Sequence, residues 1–202
     1  MAFSVLDSVT HGMEERWLEY KQSMSWDDAE SRGNLIKRVI SMANIQDGGS
    51  IVIGVRQQGE RFLLEGVTPD HLRTYQQDRV SDNVNEYAAP YVELTVYTNV
   101  EREGKFFVVI QVRPFDQLPV VCKKDGPGGL RRGALYTRGR RRHETIEVSH
   151  EAEMREIIER AIDIGMARFI ARQKAMGIAI PLKSEPAESG ETPFEQQRGP
   201  QL

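Results

Sequence analysis

The chain holds one cysteine, Cys122, in 202 residues. A single thiol excludes an internal disulfide and any cysteine-cluster metal site, and a reducing cytoplasm is the expected compartment. Long apolar runs are missing as well. Stretches such as Phe106 to Val112 and Ile51 to Val55 fall far short of the roughly 18 residues that a membrane helix needs. The first residues, MAFSVLDSV, carry no basic stretch ahead of an apolar core, so no signal peptide is expected. Neither GxxxxGKS/T nor GxGxxG occurs, which leaves nucleotide binding by the common phosphate loops unsupported. His11, His71 and His150 are scattered without metal-ligand spacing. His143-Glu144 lacks the second histidine of a zinc-protease motif and reads as ordinary surface. No internal repeat is present.

An excess of positive charge is also lacking. Lysine and arginine number 27 against 30 acids, a net charge of −3, which taken alone argues against nucleic acid. The distribution argues the other way. Lys123, Lys124, Arg131, Arg132, Arg138, Arg140, Arg141 and Arg142 share the segment 123–142 with one acid, Asp125. That segment is +7 and the rest of the chain −10. A polyanion feels the local patch, not the mean.

What is present has clear periodicity. WLEYK, 17–21, predicts a short strand. Asp27 and Asp28 cap a helix over 28–44, whose Leu35, Ile36, Val39, Ile40 and Ala43 recur at helical spacing. SIVIGV, 50–55, reads as a buried strand, with RFLLEGV, 61–67, returning as its hairpin partner across Gln57-Gln58-Gly59. Thr68-Pro69-Asp70 starts a helix running to about Tyr87. VELTVYTNV, 92–100, and KFFVVIQV, 105–112, alternate with period two and predict a long antiparallel hairpin. Shorter strands follow at 118–122 and 134–138. The pattern predicts an α+β domain with a mixed, largely antiparallel sheet and two packed helices over 1–148. A long C-terminal helix, 149–181, and a disordered tail, 182–202, complete the expected organisation.

Four motifs carry chemistry. Glu14 and Glu19 are carboxylates that can hold a divalent cation, and Lys21 can hold a phosphate or position a nucleophile; a solvated acidic face is the plainer alternative. The glycines of AN-IQDGG-SIVIGV, 43–55, allow close backbone approach, and their N–H groups can cradle a phosphate. The run from Arg138 to Arg142 follows a strand, so its guanidiniums fan out from a loop suited to phosphates. Tyr20 and Tyr136 are either stacking platforms or half-buried sheet residues. Met154, Ile157, Ile158, Ala161, Ile162, Met166, Phe169 and Ile170 form a helical stripe that packs on its own sheet or meets a dimer or other protein partner.

Taken in order, these blocks resemble a known family. Glu14 to Lys21 reads ExxxxEYK. LIKRVISMANIQDGGSIVIGV, LLEGV, the VYTNV–VVIQV hairpin and LYTRGRRR follow. Together they are similar to the Schlafen-type AlbA domain, also called a divergent AAA or DNA-binding domain, over about residues 10–145. The resemblance implies RNA or DNA backbone contact and a link to antiviral defence or regulation. In some members it implies a metal-dependent endoribonuclease using Mg²⁺ or Mn²⁺, with two glutamates and an aspartate as the acidic site. Glu14 and Glu19 match the glutamates; Gln57 stands where the aspartate is expected. An amide cannot neutralise a cation as a carboxylate does, so the resemblance supports binding, which needs no cofactor, more than cleavage. The expectation is a non-catalytic nucleic-acid-binding subunit. The alternatives are an endoribonuclease with Glu14 and Glu19 as metal ligands and Lys21 beside them, and a protein-interaction subunit or homodimer acting through the C-terminal helix.

Overall fold

The structure is a computed structural model that describes residues 4–177; the predicted tail lies outside them, and the C-terminal helix, expected to run to Pro181, ends at Ala175 with a turn at Met176-Gly177. The chain divides into two compact units, Met1–Gly165 and Met166–Leu202. The first unit takes in the start of the C-terminal helix, which the sequence pattern assigns to a separate segment. The reason is packing: Ile157 is 2% exposed and belongs to the main core, with Ala161 and Ile164 packed against it.

The architecture is α+β with a mixed four-stranded sheet, as expected. In chain order come α1 (Val5–Thr10), β1 (Leu18–Lys21), α2 (Ala29–Ala43), β2 (Gly49–Ile53), β3 (Val55–Gln58) and β4 (Arg61–Leu64). Then follow α3 (Pro69–Leu72), α4 (Gln77–Asn85), β5 (Ala88–Ala89), β6 (Leu94–Arg102), β7 (Lys105–Val112) and β8 (Val121–Cys122). The last elements are β9 (Tyr136–Arg138), β10 (Thr145–Glu147) and α5 (Glu151–Ala175). The main sheet has the order β1-β2-β7-β6, with β1 parallel to β2 and the other pairs antiparallel. The remaining strands form three two-stranded ribbons, β3-β4, β5-β8 and β9-β10, outside that sheet.

Alternation along the strands builds a core on each face of the sheet. Ile51, Ile53, Val108 and Ile110 face α2 and its buried Leu35, Ile36, Val39 and Ile40. Leu18, Tyr20, Val52 and Val109 face the other way, against Val9 of α1 and Phe62 and Leu64 of the β3-β4 ribbon. Burying each large aliphatic side chain is worth roughly 1.5–3 kcal/mol, so the two-sided sheet anchors the unit. α1, which the sequence reading did not predict, begins with a reciprocal cap: Ser4 Oγ accepts from the Asp7 N–H at 3.1 Å, and Asp7 Oδ2 from the Ser4 N–H at 3.3 Å.

One predicted helix is divided. The stretch from Thr68 to Tyr87 breaks between α3 and α4 because Tyr75 turns into the core, 2% exposed. Its hydroxyl donates to the Met24 carbonyl at 3.0 Å and its ring lies 5.8 Å from that of Trp26. Beside it, Thr74 Oγ1 accepts from the Trp26 N–H at 2.9 Å.

The block AN-IQDGG is a tight connection. Asn44 is buried; its Nδ2 donates to the Val120 and Tyr136 carbonyls, each at 2.8 Å, and its Oδ1 accepts from the Val120 N–H at 2.8 Å. Gly48 has φ +70°, and a Cβ there would lie 2.2 Å from the Val112 carbonyl oxygen. Only glycine fits that approach.

Candidate nucleic-acid interface

β1 is the edge strand of the sheet, and its α2 face lies beside the helix at the sheet margin. Glu19 and Lys21, two residues apart, share that face. On α2, Asn34, Lys37 and Arg38 stand at helical spacing three and four apart on the side turned to β1. The segment between β9 and β10 supplies His143 and Glu144, and β10 begins with Thr145. With Glu14 these residues line one recess of about 340 Å³. The structure thus brings together Glu14, Glu19 and Lys21 as the sequence grouped them. It adds Lys37, Arg38 and His143, which sequence reading missed. The polar face of α2 carried a signal for the first two; nothing local marked His143.

Glu19 is the electrostatic centre of the recess and is 4% exposed. Its Oε2 accepts from Arg138 Nη1, and its Oε1 from Arg38 Nε and, at 2.6 Å, from Lys21 Nζ. Burial pushes the carboxyl up, but the combined pull of Lys21, Arg138 and Arg38 is larger and holds it below its ordinary value. Burial lowers the Arg138 guanidinium, opposed by Glu19, and a group that starts so high stays charged. Arg138 also reaches the carbonyls of Arg16 at 3.2 Å and Glu15 at 3.4 Å, while Arg16 Nε donates to the Arg138 carbonyl at 2.9 Å. These bonds fasten β9 to the entry of β1. Glu14 Oε1 accepts from the Tyr20 N–H at 3.0 Å. His143 Nδ1 lies 3.1 Å from the Glu14 carbonyl oxygen; a carbonyl only accepts, so Nδ1 carries the hydrogen.

The eight cations of 123–142 fall at three stations and differ in their partners. Lys123 Nζ donates to the Asn85 carbonyl at 2.7 Å, and Lys124 pairs with Glu86 while lying 4.5 Å from the centre of the Tyr87 ring. Arg131 pairs with Glu147 at 3.2 Å, and Arg140 Nε with Glu156 at 3.0 Å. Glu156 also holds Arg16 through both oxygens, at 2.7 and 2.9 Å. Arg132, Arg141 and Arg142 are exposed, and no acid pairs with them among the described residues. Arg138 differs from the rest of its run. Its side chain is fully buried against Glu19, so it shapes the recess from behind and does not present a guanidinium at the surface. Tyr20 and Tyr136 are 4% and 2% exposed, with hydroxyls on the Ser8 and Gly129 carbonyls, which makes them core residues and not stacking platforms.

The donor set does not suit a divalent cation in this arrangement. Such an ion needs several carboxylate oxygens turned toward it, yet both oxygens of Glu19 are taken by cations. Gln57 does not line the recess; it is exposed on β3, and its Nε2 donates to the Gly59 carbonyl at 3.1 Å. No group of three or more His, Cys, Asp or Glu side chains is placed to hold a metal among the described residues.

With this geometry in view, the family model for Schlafen, AlbA_2 matches residues 14–147. The chain belongs to the Schlafen AlbA_2 family. The match spans β1 through β10 and so covers every residue of the recess. Two solved structures are similar to this Schlafen AlbA_2 chain. One is the DIP2311 protein from Corynebacterium diphtheriae, 12% identical, with 70% of this chain and 23% of that chain covered and a TM-score of 0.46. This chain therefore spans less than a quarter of that protein's length. The other is the N-terminal domain of a RecG-related protein from Nitrosomonas europaea, 22% identical, with 72% and 94% covered and a TM-score of 0.41. No curated protein matches. No helix among the described residues is long and apolar enough to cross a membrane.

Proposed function

We propose that this Schlafen AlbA_2 chain binds RNA or DNA through its phosphate backbone, without cleaving it, at the recess and the loop that leads into it. The observation that carries the reading is a set of cations with no carboxylate partner among the described residues. Lys37 lines the recess, with its Nζ 5.8 Å from the centre of the Tyr136 ring and no ion pair among the described residues. Arg141 and Arg142 immediately precede His143, which also lines it. Free guanidiniums fork onto phosphate oxygens without first breaking an internal pair. Lys123, Lys124, Arg131, Arg132 and Arg140 extend the cationic track, and Lys21 and Arg38 hold its inner edge. Support for binding over cleavage comes from Glu19, whose charge three cations already compensate, and from the amide at position 57.

Filter binding with transfer RNA and with single- and double-stranded DNA tests the reading. Lys37→Gln, and Arg141→Gln with Arg142→Gln, should each weaken binding severalfold. Arg131→Gln should weaken it less, because Glu147 already neutralises part of that charge. Absence of binding at low salt, or unchanged affinity in these variants, removes the proposal. The same RNA incubated with Mg²⁺ or Mn²⁺ should stay intact. Cleavage that disappears in Glu14→Ala would replace this reading with the metal-dependent endoribonuclease. Its appearance only in Gln57→Asp would identify a lost acidic site.

A further inference from the structure

α5 brings a carboxylate into the arginine-rich end of the first compact unit. Glu156 Oε1 accepts from Arg16 Nη1 at 2.7 Å, and its Oε2 from Arg16 Nη2 at 2.9 Å and Arg140 Nε at 3.0 Å. Burial pushes the Glu156 carboxyl up, but the hydrogen bonds and charges of Arg16 and Arg140 outweigh it and hold the group below its ordinary value. An arginine fork takes a carboxylate or a phosphate in the same bidentate geometry. The chain has therefore filled an anion site with an anion of its own. The partners have different origins. Arg16 precedes β1 and is anchored there by the bond from its Nε to the Arg138 carbonyl. Arg140 stands between β9 and β10, directly before Arg141 and Arg142. Both arginines lie within the family match at 14–147, and Glu156 lies outside it. The domain supplies the cations and the helix that follows it supplies the anion. The same side of α5 carries Glu151 and Glu159, which with Arg140 and Glu156 line a cavity of about 440 Å³; Arg155, also in its lining, pairs with Glu151. Arg16 and Glu156 are mostly shielded, their side chains 25% and 21% exposed, whereas that of Arg140 is 66% exposed. Arg140 holds Glu156 by one bond and Arg16 holds it by two, so Arg140 is the member that an incoming polyanion can draw away.

We propose that Glu156 is an internal competitor of nucleic acid: it holds Arg140 in the free protein, and a backbone phosphate arriving beside Arg141 and Arg142 takes Arg140 from it, leaving Glu156 on Arg16. The inference rests on the phosphate-contact reading and adds its regulation. α5 restrains binding, and every complex formed must first break one ion pair within the chain.

Filter binding of the full chain to transfer RNA and duplex DNA over a salt series tests it. Glu156→Gln should bind severalfold tighter at low salt. Its slope of log affinity against log salt should steepen by about 0.9 on duplex DNA, the increment of one further phosphate. Glu151→Gln removes the same charge from the same side of α5 without touching Arg140, and should change affinity less. Equal gains in the two variants would mean that the general charge of α5 sets affinity, which overturns the proposal. Arg140→Gln should cost little in the parent and severalfold in the Glu156→Gln background, because only there is its guanidinium free beforehand. Equal costs in the two backgrounds also overturn it. Should Glu156→Gln fail to fold in a thermal melt, the parent decides. In heteronuclear NMR the Arg140 Nε–H signal should shift as nucleic acid is added, and that of Arg16 should move less. An Arg140 signal unmoved at saturation overturns the proposal. A parent that binds no nucleic acid removes the phosphate-contact reading and this inference with it. A parent that binds, and loses affinity in Lys37→Gln, while Glu156→Gln binds like the parent, removes this inference alone.

Discussion

Glu19 and Arg138 are 119 residues apart and meet as a buried pair, where each charge depends on the other. Removing one partner from a buried ion pair costs about 3–5 kcal/mol, because the remaining charge is left uncompensated. Glu19→Gln should therefore lower the unfolding free energy read from urea titration by that amount, while Glu19→Gln combined with Arg138→Met should cost less than the single change. A single variant as stable as the parent would show that the pair is not buried in solution. The acid limb follows from the same contact. The carboxyl is held below its ordinary value, so in the acid range the unfolded chain binds more protons than the folded one, and stability rises with pH there. The contribution is complete above the ordinary carboxylate pKa of about 4.3 and is lost as pH falls through the lowered folded-state value. Glu19→Gln should have a flatter acid limb than the parent in pH-dependent urea titrations. At this scale a strand's period of two made a shared face for Glu19 and Lys21 legible, and the structure places Glu14 at the same recess. It could not distinguish Arg138 from Arg141, since what buries one and exposes the other is a carboxylate far away in the chain.

The helix α2 and the glycine-rich segment ahead of β9 fit only because both backbones come into contact. A Cβ on Gly33 would lie 2.1 Å from the Pro127 carbonyl oxygen, and one on Gly128 would lie 2.2 Å from the Asn34 nitrogen. Propensity alone favours alanine over glycine in a helix by about 1 kcal/mol. Gly33→Ala should nevertheless destabilise, by about 1–3 kcal/mol, because overpacking against backbone cannot be relieved by a rotamer change. A thermal melt decides the sign; a higher midpoint would mean that the segment is not seated on α2. Because that segment leads to Arg131 and Arg132, and its Gly129 lies beside Lys37 Nζ, the same variant should also disturb nucleic-acid binding. Elements with strong local patterning were legible beforehand: α2 from its apolar spacing, and β6 and β7 from their alternation. What stayed hidden depends on partners distant in sequence. Tyr75 splits a helix to reach Trp26, and the strand at 134–138 pairs with β10 instead of joining the main sheet. The role of Asn44 as a clamp on Val120 and Tyr136 was equally invisible, because asparagine after a helix reads as a simple stop.

For the molecule as a whole, a net charge of −3 has to be reconciled with attraction to a polyanion. Pairing resolves it. Many acids are already matched, as Glu19 is by three cations and Glu156 by Arg16 and Arg140, whereas Lys37, Arg132, Arg141 and Arg142 keep their charge for an incoming phosphate. Binding should then be driven by counterion release. The logarithm of affinity should fall linearly with the logarithm of salt concentration, by about 0.9 per neutralised phosphate on duplex DNA and about 0.7 on a single strand. Each free cation removed should reduce that slope by about one such increment: one for Lys37→Gln, two for the Arg141→Gln and Arg142→Gln pair. Arg138→Gln should leave the slope unchanged in whatever fraction folds, because a buried guanidinium displaces no counterion. Arg140→Gln should fall between, since it frees Glu156 as it removes a cation. A salt series on the parent and these variants separates the cases. A flat response in the parent would mean that unpaired surface charge does not drive association. An equal slope change for Arg138→Gln and Arg141→Gln would mean that the buried and exposed members of the run are not physically distinct.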